Sequence, residues 1–159
     1  MECKLYGRKI KYDEGKFWVW RETISKLPYW YELKGKFNNQ TGYKSLQING
    51  RYFYWHRVVY LIHNPEWDIG DSSQDNSIDH IDRDKLNNNI DNLRVVTHSQ
   101  NHWNTNAKGY SRHRGKYKGQ IVVDGEQKYL GVFETEDEAR QAYLNAKAIH
   151  HRIPQANPL

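Results

Sequence analysis

Four side chains have the types and spacing to hydrolyse a phosphate ester: the adjacent pair Asp79-His80, then Asn92, then Asn101. Such hydrolysis needs a base to activate water and a hard cation to offset charge on the phosphate and the leaving oxygen. His80 suits the first task, because imidazole titrates near neutrality. Asp79 and Asn101 suit the second as oxygen donors. Two protein oxygens leave most of an octahedral shell to water and phosphate, the way magnesium is usually held. A structural zinc demands four nitrogen or sulfur ligands, which histidines would have to supply, since Cys3 is the one cysteine. Taken singly, each residue also has a plainer use. Asp79 reads as a turn former and His80 as a half-buried surface histidine. Asn88, Asn89, Asn92 and Asn101 read as loop and cap residues, because asparagine tolerates left-handed backbone.

The elements that must position these side chains follow from pattern. Residues 78–81 and 93–97 are apolar enough for two short strands, joined by an asparagine-rich loop from Asp82 to Asn92. Thr97-His98-Ser99-Gln100 has the T-x-x-Q form of a capping box and starts a helix. The unit is therefore strand, long loop, strand, helix. Upstream, the first sixty residues read as short strands with hairpins at Asp13-Glu14-Gly15-Lys16 and at Asn49-Gly50, between Tyr43–Ile48 and Arg51–Tyr54. Trp18, Trp20, Trp30 and Tyr31 could stack on bases, but in short strands they more often build a core. Arg57–Ile62 forms a short buried helix stopped by Asn64-Pro65, and a polar loop spans Asp68 to Ser77. Downstream, Ala107 to Tyr110 is the candidate linker. Tyr117–Val123 and Gln127–Phe133 form a hairpin around Asp124-Gly125. Thr135 opens a capping-box helix with acids at its start, and Lys147, His150 and His151 sit at its end. Ala139, Ala142, Tyr143, Ala146 and Ile149 share its apolar face. The tail Ile153–Leu159 is expected to fray.

Charge is unevenly distributed in this chain of net charge +5. Residues 1–60 hold twelve Lys/Arg against five Asp/Glu, residues 61–107 three against eight, and residues 108–132 six against two. Basic blocks flanking an acidic one suit a polyanion-binding protein whose central acids hold a cation, although charge alone fits a solvated surface equally well. No apolar run approaches the roughly 20 residues that span a bilayer. With no signal-like apolar start and no disulfide framework, a soluble, reducing, cytoplasmic setting is expected.

At this point the residues carry a resemblance. Ile78-Asp79-His80-Ile81-Asp82, Asn87-Asn88-Asn89, Asp91 to Thr97 and Ser99-Gln100-Asn101 resemble the HNH endonuclease family in its phage and intron homing form. Tyr54-Trp55-His56-Arg57-Val58 and the Asn64-Pro65 turn are similar to the segment preceding the motif in these enzymes. The resemblance implies a ββα-metal finger with His80 as general base and Asp79 and Asn101 on one Mg2+ (or Mn2+). Asn92 would fix the loop and orient His80. The third position is asparagine where the family name has histidine. His98 and His102 flank it, so a small register error would exchange ligands.

Residues from about 109 to 151 resemble the plant ethylene-response-factor (APETALA-type) DNA-binding domain. The matching stretches are Gly115 to Ile121, Tyr129-Leu130-Gly131-Val132-Phe133 with tyrosine for tryptophan, and Glu138-Ala139 to Ala142-Tyr143. The resemblance implies a three-stranded sheet in the major groove backed by a helix, with Arg112, Arg114, Lys116, Gln120, Gln127 and Tyr129 facing DNA. Arginine can bind guanine bidentately, glutamine can read adenine and lysine contacts phosphate. The alternative use of this basic hairpin is a solvated face over a small core.

The expected architecture is α+β in three parts. Residues 1–60 are a strand-rich DNA-contacting region, 61–107 the ββα-metal nuclease, and 108–159 the sheet-plus-helix reader. The expected function is metal-dependent hydrolysis of double-stranded DNA in a bacterial host cell, by a phage-encoded protein. The rivals are a non-catalytic, sequence-specific DNA-binding regulator and, less favoured for want of an RNA-module motif, an RNA-binding protein.

Overall fold

Alternation along Lys16–Thr23 decides the first sheet: Phe17 and Val19 are buried, while Trp18 and Trp20 leave by the other face. A computed structural model describes residues 1–154. Strands β1 (Glu2–Leu5), β2 (Arg8–Asp13), β3 (Lys16–Thr23) and β4 (Lys26–Leu33) form an antiparallel meander in that order. The tryptophans expected in the core stand instead half-buried on its outer face. Trp20 and Trp30 are cross-strand partners whose rings meet edge-on at 5.3 Å, with the Lys9 ammonium over Trp30. Period-two geometry gives the inner positions to Phe17 and Val19, so no register places the tryptophans inside as well.

A second sheet follows, of β5 (Lys36–Phe37), β6 (Lys44–Ile48) and β7 (Arg51–Tyr54). The β6–β7 turn is Asn49-Gly50 with φ of 49° and 79°. This is the two-residue turn whose twist suits a hairpin, and its second position favours glycine because a side chain there is strained. Helix α1 (Trp55–His63) starts two residues before the expected Arg57 and ends at Asn64. The finger's strands are β8 (Ser77–His80) and β9 (Leu93–Val96), antiparallel, with a single 3-10 turn at Ile90–Asn92. Helix α2 (His98–Trp103) comes next.

By contacts the chain separates into two units, Met1–His98 and Ser99–Pro154. The first has one core drawn from Leu5, Ile10 and Phe17 of the meander, Leu46 and Ile48 of β6, Trp55, Val58 and Val59 of α1, Ile78 of β8 and Leu93 of β9. Burying each such side chain contributes roughly 1.5–3 kcal/mol. The strand-rich region and the β8–β9 finger therefore share one core. The polar loop before β8 is fastened to α1. Arg57 donates to the carbonyls of Asn76 and Ile69, both at 3.0 Å, and the Asn76 amide donates to those of Asp68 and Asp71.

The second unit holds β10 (Tyr110–His113), β11 (Lys116–Val123) and β12 (Glu126–Phe133) in one antiparallel sheet, with α3 (Glu136–His150) against it. The Thr135 capping box is present: Glu138 N–H donates to Thr135 Oγ1 at 3.2 Å and Thr135 N–H to Glu138 Oε2 at 3.1 Å. Ala139, Tyr143 and Ala146 are buried as expected, whereas Ile149 is exposed. The expected linker is not loose. Arg140 donates to the carbonyls of Ala107 and Lys108. Gly109 (φ 77°) lies so close under Tyr143 that an added Cβ would fall 1.9 Å from its ring. The fraying expected of the tail lies, from Gln155 on, outside the described residues.

Candidate active site

Two polar side chains are buried in succession on β8, and each has a specific partner. Asp79 is 4 % exposed and lies opposite Arg94, itself 7 % exposed, across the β8–β9 ladder. Arg94 Nε and Nη2 both donate to Asp79 Oδ2, at 2.9 and 2.7 Å. His80 is 3 % exposed, and its Nε2 lies 3.1 Å from Asn88 Oδ1. Burial without such partners would cost each group several kcal/mol, so the pairings explain how the strand tolerates them.

His80 is packed by rings. His56 of α1 meets it edge-on, with centroids 4.9 Å apart, and Tyr43 lies at 6.0 Å. Tyr54 stacks on His56, with centroids 5.6 Å apart. Among the described residues the buried Nδ1 of His56 has no hydrogen-bond partner. Its pKa is pushed down to about 3, by burial first and then by His80 and Arg57, so the ring is neutral at physiological pH. Tyr43 has its phenol pushed up by burial and by the charges of Asp79 and Tyr54. The field of Asp79 thus reaches the same ring that borders His80, although successive residues of a strand leave by opposite faces.

The loop Asp82–Asn92 is closed by its own amides. Asn92 Oδ1 accepts from the Asp82 N–H at 3.0 Å, and Asn92 Nδ2 donates to Asp82 Oδ1 at 2.9 Å and to the Asn87 carbonyl at 2.8 Å. The Ile81 N–H donates to the Asn92 carbonyl. Hydrogen bonds to Asp82, from the Asn87 side chain foremost, hold its carboxyl below the usual range. The Asn92 amide thus bonds across the loop, while the His80 ring is bonded by Asn88, which by type alone reads as one more loop asparagine.

Asn101 stands on α2, past the boundary between the two units, and His98 and His102 stand on the same helix. Among the described residues no three His, Cys, Asp or Glu side chains come together as a metal site. As donor types, the Asp79 carboxylate and the Asn101 amide oxygen suit a hard, water-rich cation better than zinc.

Residues 53–103 match the HNH endonuclease family. The chain is also similar to an uncharacterised HNH endonuclease of Acanthamoeba polyphaga mimivirus, 34 % identical over 93 residues, which cover 55 % of this chain and 48 % of that protein. The chain thus spans about half the length of the curated relative it matches. No solved structure matches. The HNH domain runs from β7 through α2 and includes Asp79, His80, Asn92 and Asn101. His56, Asn88 and Arg94 belong to it too. Type and spacing alone did not single these three out.

Outside the HNH domain, the sheet of the second unit sorts the six residues expected to face DNA. Cross-strand pairs share a face. Gln120 pairs with Tyr129 and Val122 with Gln127, on the face opposite the buried Ile121 and Val123. Lys116 and Lys118 alternate onto that same exposed face, and the Lys118 ammonium lies 5.9 Å from the Tyr129 ring centroid. Lys116 is paired with Glu134. Arg112 differs: it pairs with Tyr117, lies over that ring, and is on the α3 side of the sheet. Arg114 is in the β10–β11 turn with φ 51°. Lys118 was not among the expected residues, and its period-two spacing from Lys116 and Gln120 puts it on their face of the sheet.

No helix is long and apolar enough to cross a membrane among the described residues.

Proposed function

We propose that this chain is an HNH-type DNA endonuclease of the phage or intron homing kind, with His80 as its general base. The observation that carries the reading is the buried Asp79-His80 pair on β8, each side chain held by its own partner, within the segment that matches the family. In this reading a water proton passes to His80, and the water oxygen forms the new bond to phosphorus. The bond to the leaving deoxyribose oxygen breaks, and that oxygen takes up a proton from solvent. Asp79 and Asn101 would hold one Mg2+ (or Mn2+), whose chemistry when bound is to offset charge on the phosphate and the leaving oxygen. Asn92 keeps the loop closed beneath the base. The second unit serves as an ethylene-response-factor-like reader that meets duplex DNA with Lys116, Lys118, Gln120, Gln127 and Tyr129, while Arg112 and Arg114 reach phosphate from the sheet edge and turn. The similarity to a viral protein supports a viral or phage origin, and work in the host cytoplasm is part of the same proposal.

The second reading is a DNA-binding regulator whose HNH domain is a scaffold. Its supporting observation is Arg94, which satisfies the buried Asp79 carboxylate with a protein cation. The two readings separate on incubation of duplex DNA and matched RNA with the protein and magnesium, followed by end mapping. Recurrent ends on DNA support the nuclease. Salt-sensitive DNA binding with intact strands at every divalent metal tried supports the regulator.

A further inference from the structure

The match to the HNH family runs to residue 103, yet by contacts the chain divides after His98, so the body of α2, Asn101 included, sorts with the second unit. Alone, α2 could not keep its shape. It has six residues, none of them buried, and isolated helices shorter than about 12–15 residues are marginal in water. Its order has to come from what packs against it.

The second unit supplies such packing from one stripe of α3. Arg140, Lys147 and the C-cap His151 recur at i, i+7 and i+11, which places them on one face of that helix. Arg140 donates to the carbonyls of Ala107 and Lys108, and Lys147 Nζ to that of Thr105 at 3.0 Å. The His151 ring lies flat on Trp103, the last residue of α2, with centroids 4.6 Å apart and planes 4° from parallel. The next carbonyl, of Arg152, accepts from Gln100 Nε2 at 3.4 Å. His151 is itself fixed, because its Nε2 donates to the Val122 carbonyl of β11 at 2.8 Å. Among the described residues its buried Nδ1 has no hydrogen-bond partner, so the flat face and Nε2 are what the ring contributes. The sheet holds the ring, and the ring holds the end of α2. Asn101 lies between Gln100 and Trp103 in the chain, so fixing those two side chains restrains it.

We propose that His151 and Trp103 are positioning residues for the metal site: their stack holds α2 so that Asn101 is presented as a ligand. The C-terminal unit is then a working part of the nuclease as well as its reader. The proposal rests on the reading of Asn101 as a ligand of the cation. It requires no contact of α3 with the cation or with DNA.

The test uses the full chain and two readouts, Mn2+ affinity from the paramagnetic resonance signal of the free ion, and hydrogen exchange of the amide that closes α2. That amide is the Asn104 N–H, which donates to the Gln100 carbonyl. His151→Ala is expected to speed its exchange and to weaken Mn2+ binding by about 10-fold, the low end of what the outer partners of a metal site contribute. His151→Phe keeps a flat ring on Trp103 and should restore both. Failure of that rescue would show that the bond to Val122 does the holding and would overturn the role of the stack. Unaltered exchange in His151→Ala would overturn the proposal as well. Asn101→Ala separates it from the reading beneath it. If Asn101→Ala weakens Mn2+ binding and His151→Ala does not, the positioning role fails and the ligand reading stands. If Asn101→Ala binds Mn2+ like the wild type, the ligand reading fails and the positioning role falls with it. Should His151→Ala unfold the second unit, Trp103→Ala decides, since it removes the same stack from the α2 side and leaves the core of Ile121, Val123, Tyr143 and Ala146 untouched.

Discussion

Arg94 and Asp79 face each other across β8 and β9, and two guanidinium nitrogens of Arg94 converge on one carboxylate oxygen, Oδ2, at 2.7 and 2.9 Å. Both side chains are almost wholly buried, so neither charge has bulk water to fall back on. Removing one partner of such a pair leaves the other uncompensated, at a cost of about 3–5 kcal/mol. Arg94→Ala is therefore expected to lose about that much stability in urea unfolding with a chelator present. If Asp79 is a metal ligand, added magnesium recovers part of the loss by binding the folded state. An Arg94→Ala protein as stable as wild type in chelator would contradict the importance of the pair.

Gly109 gives a sharper test of packing. Its backbone has φ 77°, and a Cβ there would fall inside the Tyr143 ring. Gly125 has a similar φ of 81° with open space around it. Gly125→Ala should therefore cost only the backbone strain, about 1 kcal/mol, and Gly109→Ala that plus displacement of Tyr143 from the core of the second unit. Thermal unfolding of the two variants measures the difference, and equal melting temperatures would show that Tyr143 is not held there.

The pH dependence of stability follows from His56. Its folded pKa, about 3, lies below the roughly 6.5 of an unfolded histidine, so between these values the unfolded chain binds the extra proton. Stability should then fall as pH drops from 6.5 toward 3, with a slope approaching about 1.4 kcal/mol per unit from this group. The charged and titratable groups around it, Tyr43, Tyr54, His80 and Arg57, stay in place in His56→Phe, which should flatten the slope. Denaturant titrations at pH 4.5 and 7 read this directly, and an unchanged slope in the variant would refute it.

If the second unit is the proposed reader, Lys118→Ala with Tyr129→Ala is expected to weaken duplex DNA binding by about 3–10-fold at 0.1 M salt, since the pair removes a cation that can contact phosphate and a side chain that can meet base edges. Arg112→Ala with Arg114→Ala should cost less, because Arg112 lies over Tyr117 on the α3 side. Fluorescence anisotropy across a salt series distinguishes the two. The reverse order would mean that the turn and edge carry the DNA and the open sheet face does not.

The features legible in the sequence are those set by near neighbours in the chain. Asn49-Gly50 specified its turn, Thr135 with Glu138 specified the start of α3, and the strand-loop-strand pattern specified β8 and β9. Long-range relations were not legible. Arg94 meets Asp79 only through a particular strand register, and His56 reaches His80 only because α1 packs beside β8. Asn88 and Asn92 share one chemistry, and only the closed loop decides which amide faces the ring. The tryptophans misled because such residues in short strands more often build a core, while the parity of β3 gave the inner positions to Phe17 and Val19.

The most direct test of His80 as the catalytic base is plasmid nicking by His80→Ala in magnesium, with DNA affinity measured on the same preparation. Loss of cleavage by about 10²–10⁴ with unchanged affinity is the predicted result. Cleavage near the wild-type rate would contradict it.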